Sequence, residues 1–424
     1  MSQTPSSSIA LEAVLPSEGE DAMANIIDWD GPNDAAAPIN WSRSKRWAHI
    51  IIVAILGLVP NMATTMVAPG LDGVLADFHV TSSAVSTFAV TIFLLGLALG
   101  PMFLSCMGEV FGRLPVYHTA NIIFIAFIIG NALTSNGWRW TFWLLAILGG
   151  AIEAATLIVM RETSPKILLE RKAARLRVST GNAQIRSKLA QKLTLQQVLA
   201  QALVRPTILL IRSPVVLVLS LYASLVFGVI YLLFTTFNGV FRGQYGFSAP
   251  ISGLVYLGLG IALVLGVGIF GSLNPQIQAA RMKADGVDKP KPEYRLLLMI
   301  WLSPCVALGL FIYGWTVYYK VHWIVPIIGT FFIGLGAYFV LMPTQPYLIE
   351  LFGSKGAPSA LSAMNVLRYM GGTFLPLTGP RLYRALGYGW GNSLLGFLAL
   401  LFALPPVLFY KYGERLRAKG HVVL

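Results

Sequence analysis

Ten long apolar runs restrict what this chain can fold into. Each holds about 20 residues or more, the length that crosses roughly 30 Å of hydrocarbon as a helix. Because a bilayer offers no water to the backbone, each run must become helical to satisfy its own hydrogen bonds, and none alternates like a barrel strand. The runs lie near 47–69, 82–105, 115–134, 138–160, 213–237, 251–273, 295–317, 323–343, 358–380 and 390–411. The sequence therefore predicts an all-α membrane protein with about ten transmembrane helices.

The composition favours burial in lipid over a soluble fold. Hydrophobic residues make up 56% of the 424 residues and charged residues only 12%, whereas about 25% charged residues are usual in soluble domains. This excludes a disordered chain and argues against an ordinary soluble enzyme. The 41 glycines and 24 prolines are compatible with membrane helices, in which they allow close packing and kinks.

The distribution of basic residues predicts the orientation. With the N-terminus inside, 25 of the 31 lysines and arginines fall in cytosolic segments and five fall outside. Loops rich in lysine and arginine stay in the cytosol, so we expect both termini there and an even number of spans. The formal net charge of +13 then faces the inner leaflet, and no nucleic-acid partner is needed to explain it.

Spans and polar segments divide the chain into five regions. Residues 1–46 are rich in Ser and Pro and then acidic, which predicts a disordered cytosolic tail. Residues 47–160 form an N-terminal bundle of four spans, and residues 161–212 form a basic cytosolic linker. Residues 213–411 form a C-terminal six-helix bundle, and residues 412–424 form a second cytosolic tail.

An apolar stripe in the linker predicts an amphipathic helix. Such a helix either lies on the membrane surface or touches the bundle as part of a solvated linker. The stripe consists of Leu195, Val198, Leu199, Ala202 and Leu203.

Two ionisable residues inside predicted spans are candidates for function. Arg368 lies near the middle of 358–380, and Glu153 lies two thirds along 138–160. Because a charge in hydrocarbon costs several kcal/mol, such residues usually face a watery cavity, where they bind substrate or carry protons. The alternative for each is a buried pair or a snorkelling side chain.

The sequence contains no enzyme motif in the structural context that the motif requires. Residues 266–271, Gly-Val-Gly-Ile-Phe-Gly, match the dinucleotide fingerprint by letter, but they lie inside an apolar span and not between a strand and a helix. We interpret these glycines as a packing face. The five histidines lack ligand spacing, and no nucleophile–base pair is visible. We therefore expect no catalytic residues, no metal and no cofactor.

The short loop between the second and third spans combines a carboxylate, a glycine and a cation. Glu109, Gly112 and Arg113 lie within five residues. A carboxylate here can accept hydrogen bonds from a helix N-terminus or from Arg113. We expect the three residues to form a conformational latch that holds one state of a two-state protein.

This loop resembles the signature between the second and third helices of the major facilitator superfamily, Gly-x-Leu-x-Asp-Arg-x-Gly-Arg-Lys/Arg. Gly112 and Arg113 match it, and Glu109 replaces the acidic residue, as is usual in the fungal drug:proton antiporter branch. Three positions depart from the pattern: Ser105, Val110 and Leu114. Further stretches resemble the same branch, at residues 28–32, 40–42, 64–69, 117–119, 137–140, 293–296, 322–326 and 410–415.

Two helices of that family are lacking. The third span ends near Ser135-Asn136 and continues directly into 137–140, Gly-Trp-Arg-Trp, which resembles the start of the sixth family helix. The resemblance thus implies a major-facilitator-type bundle of four plus six helices in place of twelve, without the fourth and fifth. Loss of a pair of spans preserves the orientation.

The resemblance implies a proton-coupled efflux pump for a drug, toxin or secondary metabolite, working by alternating access. It also implies a cavity lined by the spans near 47–69, 213–237 and 323–343. Arg368 is our candidate for the polar anchor in this cavity. Candidate contacts, chosen for chemistry and depth, are Asn61, Thr64, Tyr231, Phe234 and Tyr338. The expected partners are a small-molecule substrate, protons and the lipid bilayer. We expect a monomer in the plasma membrane, with the vacuolar membrane as the second possibility.

Three alternatives remain open at this point. The two lacking helices favour a non-transporting, truncated or regulatory paralogue of such an exporter. A membrane-embedded enzyme would need a polar catalytic cluster within the spans. An importer of sugars or peptides is disfavoured by the resemblance to exporters.

The predicted orientation can be tested with trypsin added to sealed cells. We expect cleavage near Arg242 and protection near Arg175, because only the first of these lies outside. Permeabilised cells, in which both sites are open to the protease, provide the control. External cleavage near Arg175 with protection near Arg242 would reverse the assignment.

Overall fold

The computed structural model describes residues 25–66, 79, 82–134, 139–189 and 195–419. The helices expected from the apolar runs are all present in this part, several of them longer than the runs. They are α1 Arg43–Met66, α2 Ser83–Phe111, α3 Arg113–Thr134, α4 Arg139–Val159, α5 Pro165–Thr180, α6 Leu195–Arg212, α7 Pro214–Gly243, α8 Ala249–Ser252, α9 Tyr256–Asp285, α10 Leu296–Leu302, α11 Cys305–Tyr318 and α12 Ile324–Lys419. Short 3-10 turns cover Pro38–Asn40, Gly253–Val255 and Pro292–Arg295.

The spans number about ten, as predicted. Within the described ranges, nine helical stretches are long and apolar enough to cross a membrane. The last, Gly356–Glu414, has 59 residues, which suffices for two crossings of about 20 residues each. The backbone of α12 leaves helical geometry at Gly353 and Gly387, so this helix consists of three stretches, 324–352, 354–386 and 388–419.

Residues 25–46 of the N-terminal tail, the part that the structure describes, contain a strand and a 3-10 turn in place of the expected disorder. Strand β1, Ile26–Ile27, pairs in parallel with β2, Arg186–Ser187, in the linker. Asp28 forms an ion pair with Lys188 at 2.5 Å, and this contact lowers the pKa of the Asp28 carboxyl. The acidic composition that predicts disorder in isolation therefore finds its partners in the basic linker.

The linker helix α6 packs against the bundle. Val198 and Leu209 are buried, and the Cys106 thiol in α2 lies 3.8 Å from the Val198 carbonyl oxygen. Since α6 contacts both α2 and α12, it connects the two groups of helices. We call the end of the bundle that carries the tail, α5 and α6 the linker end.

The two halves of the chain differ in how their helices pack. Helices α7 and α10–α12 share the largest core, while α1, α3 and α4 share a smaller one around Leu145. Helix α2 was expected inside the N-terminal bundle, but it packs mainly on α12, and its Leu94 belongs to the larger core. The N-terminal half has two helices fewer than the C-terminal half, so the C-terminal half offers α2 more apolar surface to pack against.

Glycines bring the helices of the larger core close together. A Cβ added at Gly309 would lie 2.5 Å from the Gly329 carbonyl oxygen, and a Cβ at Gly228 in α7 would lie 2.8 Å from the Gly371 carbonyl oxygen in α12. Lipid tails are as apolar as the side chains, so association in a membrane depends on such close contacts.

A Gly228→Ala variant should therefore be less stable. The added methyl group would force α7 and α12 apart, and overpacking of this kind costs about 1–3 kcal/mol. Thermal unfolding of the purified protein in detergent measures the effect. The matched control is Gly239→Ala in the same helix, where an added Cβ meets nothing within 4 Å. Equal unfolding temperatures for the two variants would contradict the packing argument.

Candidate transport site

Arg368 lies close to the midpoint of the 354–386 stretch of α12 and is partly buried. Its Nη2 donates to the Tyr369 hydroxyl at 3.0 Å. Its Cζ lies 4.7 Å from the Tyr369 ring centroid and 5.2 Å from the Phe227 ring centroid. Cation–π contacts contribute about 0.5–2 kcal/mol, so the two rings offset part of the cost of a charge at this depth.

The guanidinium of Arg368 is only partly satisfied. Its Nε is buried and has no hydrogen-bond partner. Among the described residues, no carboxylate lies within ion-pair distance of this side chain. A guanidinium carries five N–H donors, and the single bond to Tyr369 leaves the others available.

Close packing of three helices places Phe227 beside Arg368. A Cβ at Gly372 would lie 2.8 Å from Leu94 of α2 and 2.9 Å from Phe227 of α7. The Thr373 hydroxyl also donates to the Thr91 carbonyl oxygen of α2 at 3.4 Å. The candidate site therefore lies where α2 of the N-terminal half meets α7 and α12 of the C-terminal half.

A row of aromatic rings extends from Arg368. The Phe227 and Tyr231 rings are 5.0 Å apart, the Tyr231 and Phe234 rings 5.4 Å, and the Phe234 and Tyr256 rings 5.4 Å. The three α7 residues are spaced by four and by three, which puts them on one helix face. The row includes Tyr231 and Phe234, two of the contacts proposed from the sequence, and it packs within the larger core.

Two other predicted contacts, Asn61 and Tyr338, are not brought to this site. Asn61 is exposed on α1 and donates to the Gly57 carbonyl oxygen at 2.8 Å. Tyr338 packs on Phe270 and Phe339 in a separate cluster. The side chain of Thr64 lies outside the described residues.

Tyr338 instead covers part of the glycine motif in α9. A Cβ at Gly266 would lie 2.6 Å from the Tyr338 ring. The expected packing face therefore exists at Gly266, whereas Gly268 and Gly271 have nothing within 4 Å of such a Cβ. The motif lies inside a helix and not in a strand–helix turn, so the phosphate-binding geometry is missing from it.

Glu153 lies in a polar cluster between α3 and α4. Its Oε1 is 2.5 Å from His118 Nδ1, and its Oε2 accepts from Asn121 Nδ2 at 2.8 Å. The Glu153 residue is only 9% exposed, and it lies about 9 Å from the linker end of α4. The structure thus brings together a carboxylate and an imidazole, two groups that can exchange a proton.

Sequence reasoning missed His118 and Asn121 as partners of Glu153. The available signal was the spacing of three residues between them, which puts two polar side chains on one face of an otherwise apolar helix. Their contact with Glu153 spans 35 and 32 residues of sequence, and spacing alone does not reveal it.

The carboxylate of Glu162 holds the loop between α2 and α3. It accepts from the backbone N–H groups of Arg113 and Leu114, both at 3.2 Å. It also accepts from those of Thr163 and Ser164, at 2.9 and 2.8 Å. Since the first N–H groups of a helix have no partner within it, a carboxylate at the start of α3 satisfies them and complements the helix dipole.

The carboxylate that contacts this loop is therefore Glu162 and not Glu109, the residue proposed for the latch. Glu109 lies in the last turn of α2, where the free backbone groups are carbonyls, and its side chain is exposed beside a cavity of about 370 Å³. Gly112 does take part, because its φ is +99° and a Cβ there would lie 2.5 Å from Glu162 Oε2. Arg113 contributes its backbone N–H, while its side chain is exposed.

Two ion pairs occupy the corresponding place in the C-terminal half. Arg295 Nε donates to Glu350 Oε1 at 2.8 Å, which joins the start of the Pro292–Tyr318 span to the end of the 324–352 stretch. Lys291 pairs with Glu414 at 3.3 Å. Both halves are therefore held by carboxylates at the linker end.

Two family models match the chain. The Major Facilitator Superfamily model matches residues 123–376, more than half of the sequence, and the Sugar (and other) transporter model matches residues 45–173.

Curated fungal proteins are similar along most of their length. MFS transporter prlG of Fungal sp. (strain NRRL 50135) is 42% identical over 467 positions, covering 95% of this chain and 98% of that protein. Efflux pump radE of Floropilus chiversii is 38% identical, covering 96% of this chain and 88% of that protein. The prlG alignment is longer than the 424 residues of this chain, so prlG has residues without a counterpart here. This agrees with the lack of two helices.

A solved transporter shares the fold. The xylose transporter XylE from E. coli, in a partially occluded inward-open conformation, has a TM-score of 0.57 at 14% identity, covering 87% of this chain and 98% of XylE. The matched family and these proteins are transporters and not enzymes. The chain is thus a multi-pass membrane protein and belongs to the major facilitator superfamily.

Proposed function

We propose that the chain is an exporter, which moves a drug, toxin or secondary metabolite out of the cytosol in exchange for protons. The observation that carries this proposal is Arg368, a partly buried cation beside a row of aromatic rings where the two halves meet. Such a site suits a partly apolar ligand held by one polar anchor. The similarity to an efflux pump supports export over import.

Alternating access follows from the position of this site. In transporters of this kind, two groups of helices rock about a binding site near the bilayer midplane. Arg368 and Phe227 belong to the C-terminal half, and Leu94 of α2 approaches them from the N-terminal half. Rocking of α2 against α7 and α12 would expose the ligand to one side of the membrane at a time.

We assign proton coupling to Glu153 and His118. Protonation of Glu153 removes the negative charge that accepts from His118 and Asn121. The charge-assisted bonds between α3 and α4 then become ordinary ones of about half the strength. Proton uptake at this point can therefore loosen the N-terminal half and favour its movement.

We place the linker end in the cytosol and propose that its contacts form the gate that closes the cytosolic side. Glu162 locks α3 to the segment after α4, and Glu350 locks two helices of the other half through Arg295. Breaking these contacts would permit the cytosolic side to open. The cytosolic assignment rests on the excess of lysine and arginine in these segments.

Proton coupling predicts that Glu153→Gln abolishes the pH dependence of export. Gln keeps the size of the side chain and one acceptor oxygen but cannot exchange a proton in the physiological range. Cells expressing each variant are loaded with labelled, partly apolar compounds, some anionic and some cationic. Efflux is then measured at acidic and at neutral external pH. We expect the wild type to export more at acidic external pH. For one-for-one exchange with protons, the ratio of outside to inside compound can rise by at most about tenfold per pH unit. The variant should not respond to external pH.

The control for Glu153 is Glu109→Gln, which removes an exposed carboxylate from α2. The relative named as an efflux pump, radE, expressed beside this chain, reports that the assay detects export. If the relative exports compounds and this chain exports none, the chain is a non-transporting paralogue. If Glu153→Gln keeps the wild-type pH response, proton coupling does not pass through this cluster.

The latch predicts that Glu162→Gln opens the loop between α2 and α3. The amide retains one acceptor oxygen but loses the charge that strengthens four backbone contacts, a change of about 1–3 kcal/mol for bonds to a charged group. Limited trypsin digestion at Arg113 of the detergent-purified protein should become about tenfold faster or more. Glu109→Gln, which removes the carboxylate outside the latch, should digest like the wild type. Slower digestion of Glu162→Gln than of Glu109→Gln would contradict the assignment.

A further inference from the structure

The guanidinium of Arg368 carries a charge that the described part of the protein does not neutralise. No carboxylate among these residues pairs with it, and its buried Nε has no hydrogen-bond partner. The carboxylate of Glu153, which also lies at membrane depth, already contacts His118 and Asn121 on the helix pair α3–α4. A partly buried cation with a buried unpaired donor is stabilised when an external group supplies the missing charge or hydrogen bond.

The aromatic rings next to Arg368 do not replace that group. Phe227 and Tyr369 approach the guanidinium carbon at 5.2 and 4.7 Å and interact through their π faces. Ring faces attract the cation but offer no lone pair in the plane of the guanidinium. The N–H donor of the buried Nε therefore still requires an acceptor.

The geometry of the donors selects the kind of acceptor. A guanidinium is a planar fork that binds a carboxylate through two parallel N–H···O bonds, with a strength and direction that a single neutral oxygen does not match. A cationic ligand would be repelled at the same position. The anion is more than an inorganic ion, because Tyr231, Phe234 and Tyr256 continue the apolar surface away from Arg368.

Depth separates a transported ligand from a lipid headgroup. Arg368 lies near the midpoint of the 354–386 stretch, whereas phosphates of lipid headgroups lie outside the hydrocarbon core of about 30 Å. A lipid would have to bring its headgroup to the centre of the bilayer to reach this side chain.

We infer that the site at Arg368 binds small organic anions, in which a carboxylate or a similar planar anionic group is attached to an apolar body. The anionic group meets the free edge of the guanidinium, and the apolar body lies along the aromatic row. This names the substrate class of the exporter and rests on the proposed function for the role of the site.

Equilibrium binding to the detergent-purified full chain tests the inference. The probes are three tritiated indoles of the same ring and differing charge: indole-3-acetate, the neutral indole-3-acetamide and the cationic tryptamine. At neutral pH we expect indole-3-acetate to bind about tenfold or more tighter than the amide, as for a hydrogen bond to a charged group. Tryptamine should bind more weakly than either.

Variants of two arginines in α12 separate the role of Arg368 from a general effect of charge. Arg368→Ala should weaken the acetate about tenfold or more and leave the amide nearly unchanged, which removes the preference. Arg368→Lys should keep part of the preference, because an ammonium retains the charge without the planar fork. The matched control, Arg384→Ala, removes an exposed cation from the same stretch of α12 and should behave like the wild type. Size-exclusion chromatography verifies that each variant is folded.

Equal binding of the three probes by the wild type would overturn the inference, and so would an unchanged acetate preference in Arg368→Ala. Absence of acetate binding by the folded wild type would overturn it as well. Anion-selective binding in a chain that exports nothing would contradict the proposed export while leaving the inference intact. Export of neutral and cationic compounds without anion selectivity would support the proposed export and contradict the inference about anions.

Discussion

The cost of placing a charge in hydrocarbon governs this structure. Burial of an ionised side chain at membrane depth costs several kcal/mol unless a partner or water compensates it. The protein meets this cost in two ways. Glu153 is compensated within the fold, by the N–H donors of His118 and Asn121. Arg368 is compensated only in part, by two aromatic rings and one hydroxyl. The first arrangement is closed on itself, while the second leaves the Nε of Arg368 without a partner, as the proposed ligand site requires.

Close helix packing makes the second arrangement possible. In a membrane, helices associate through close contacts between small residues, since lipid satisfies apolar side chains equally well. Gly228, Gly371 and Gly372 bring α7 and α12 so near to each other that Phe227 reaches the guanidinium of Arg368. The glycines thus do more than stabilise the bundle: they set the distance between the cation and the aromatic row. The abundance of glycine in the sequence reflects this requirement.

The sequence was sufficient for features that depend on local pattern and failed for those that depend on distant contacts. Runs of about 20 apolar residues predict the helices, because a bilayer imposes their length, and the structure confirms about ten. The role of Glu162 was missed, because its acceptor function arises from a contact with Arg113, 49 residues earlier. Glu109 seemed the better candidate only because it is near in sequence. For the same reason, composition predicted a disordered tail where Asp28 finds Lys188, 160 residues away.

The unequal packing of the two halves has a consequence for movement. The smaller core of α1, α3 and α4 has fewer buried side chains than the core of α7 and α10–α12, so fewer contacts oppose its rearrangement. In this smaller core, the charged contacts of Glu153 and Glu162 form a larger share of the interactions that hold the helices together. Interactions between charges respond to protonation, whereas apolar contacts do not. Under the proposed proton coupling, the N-terminal half, whose small core depends more on carboxylate contacts, is the half that a proton would move. The C-terminal half, whose core is closely packed through glycines, would keep the proposed ligand site rigid.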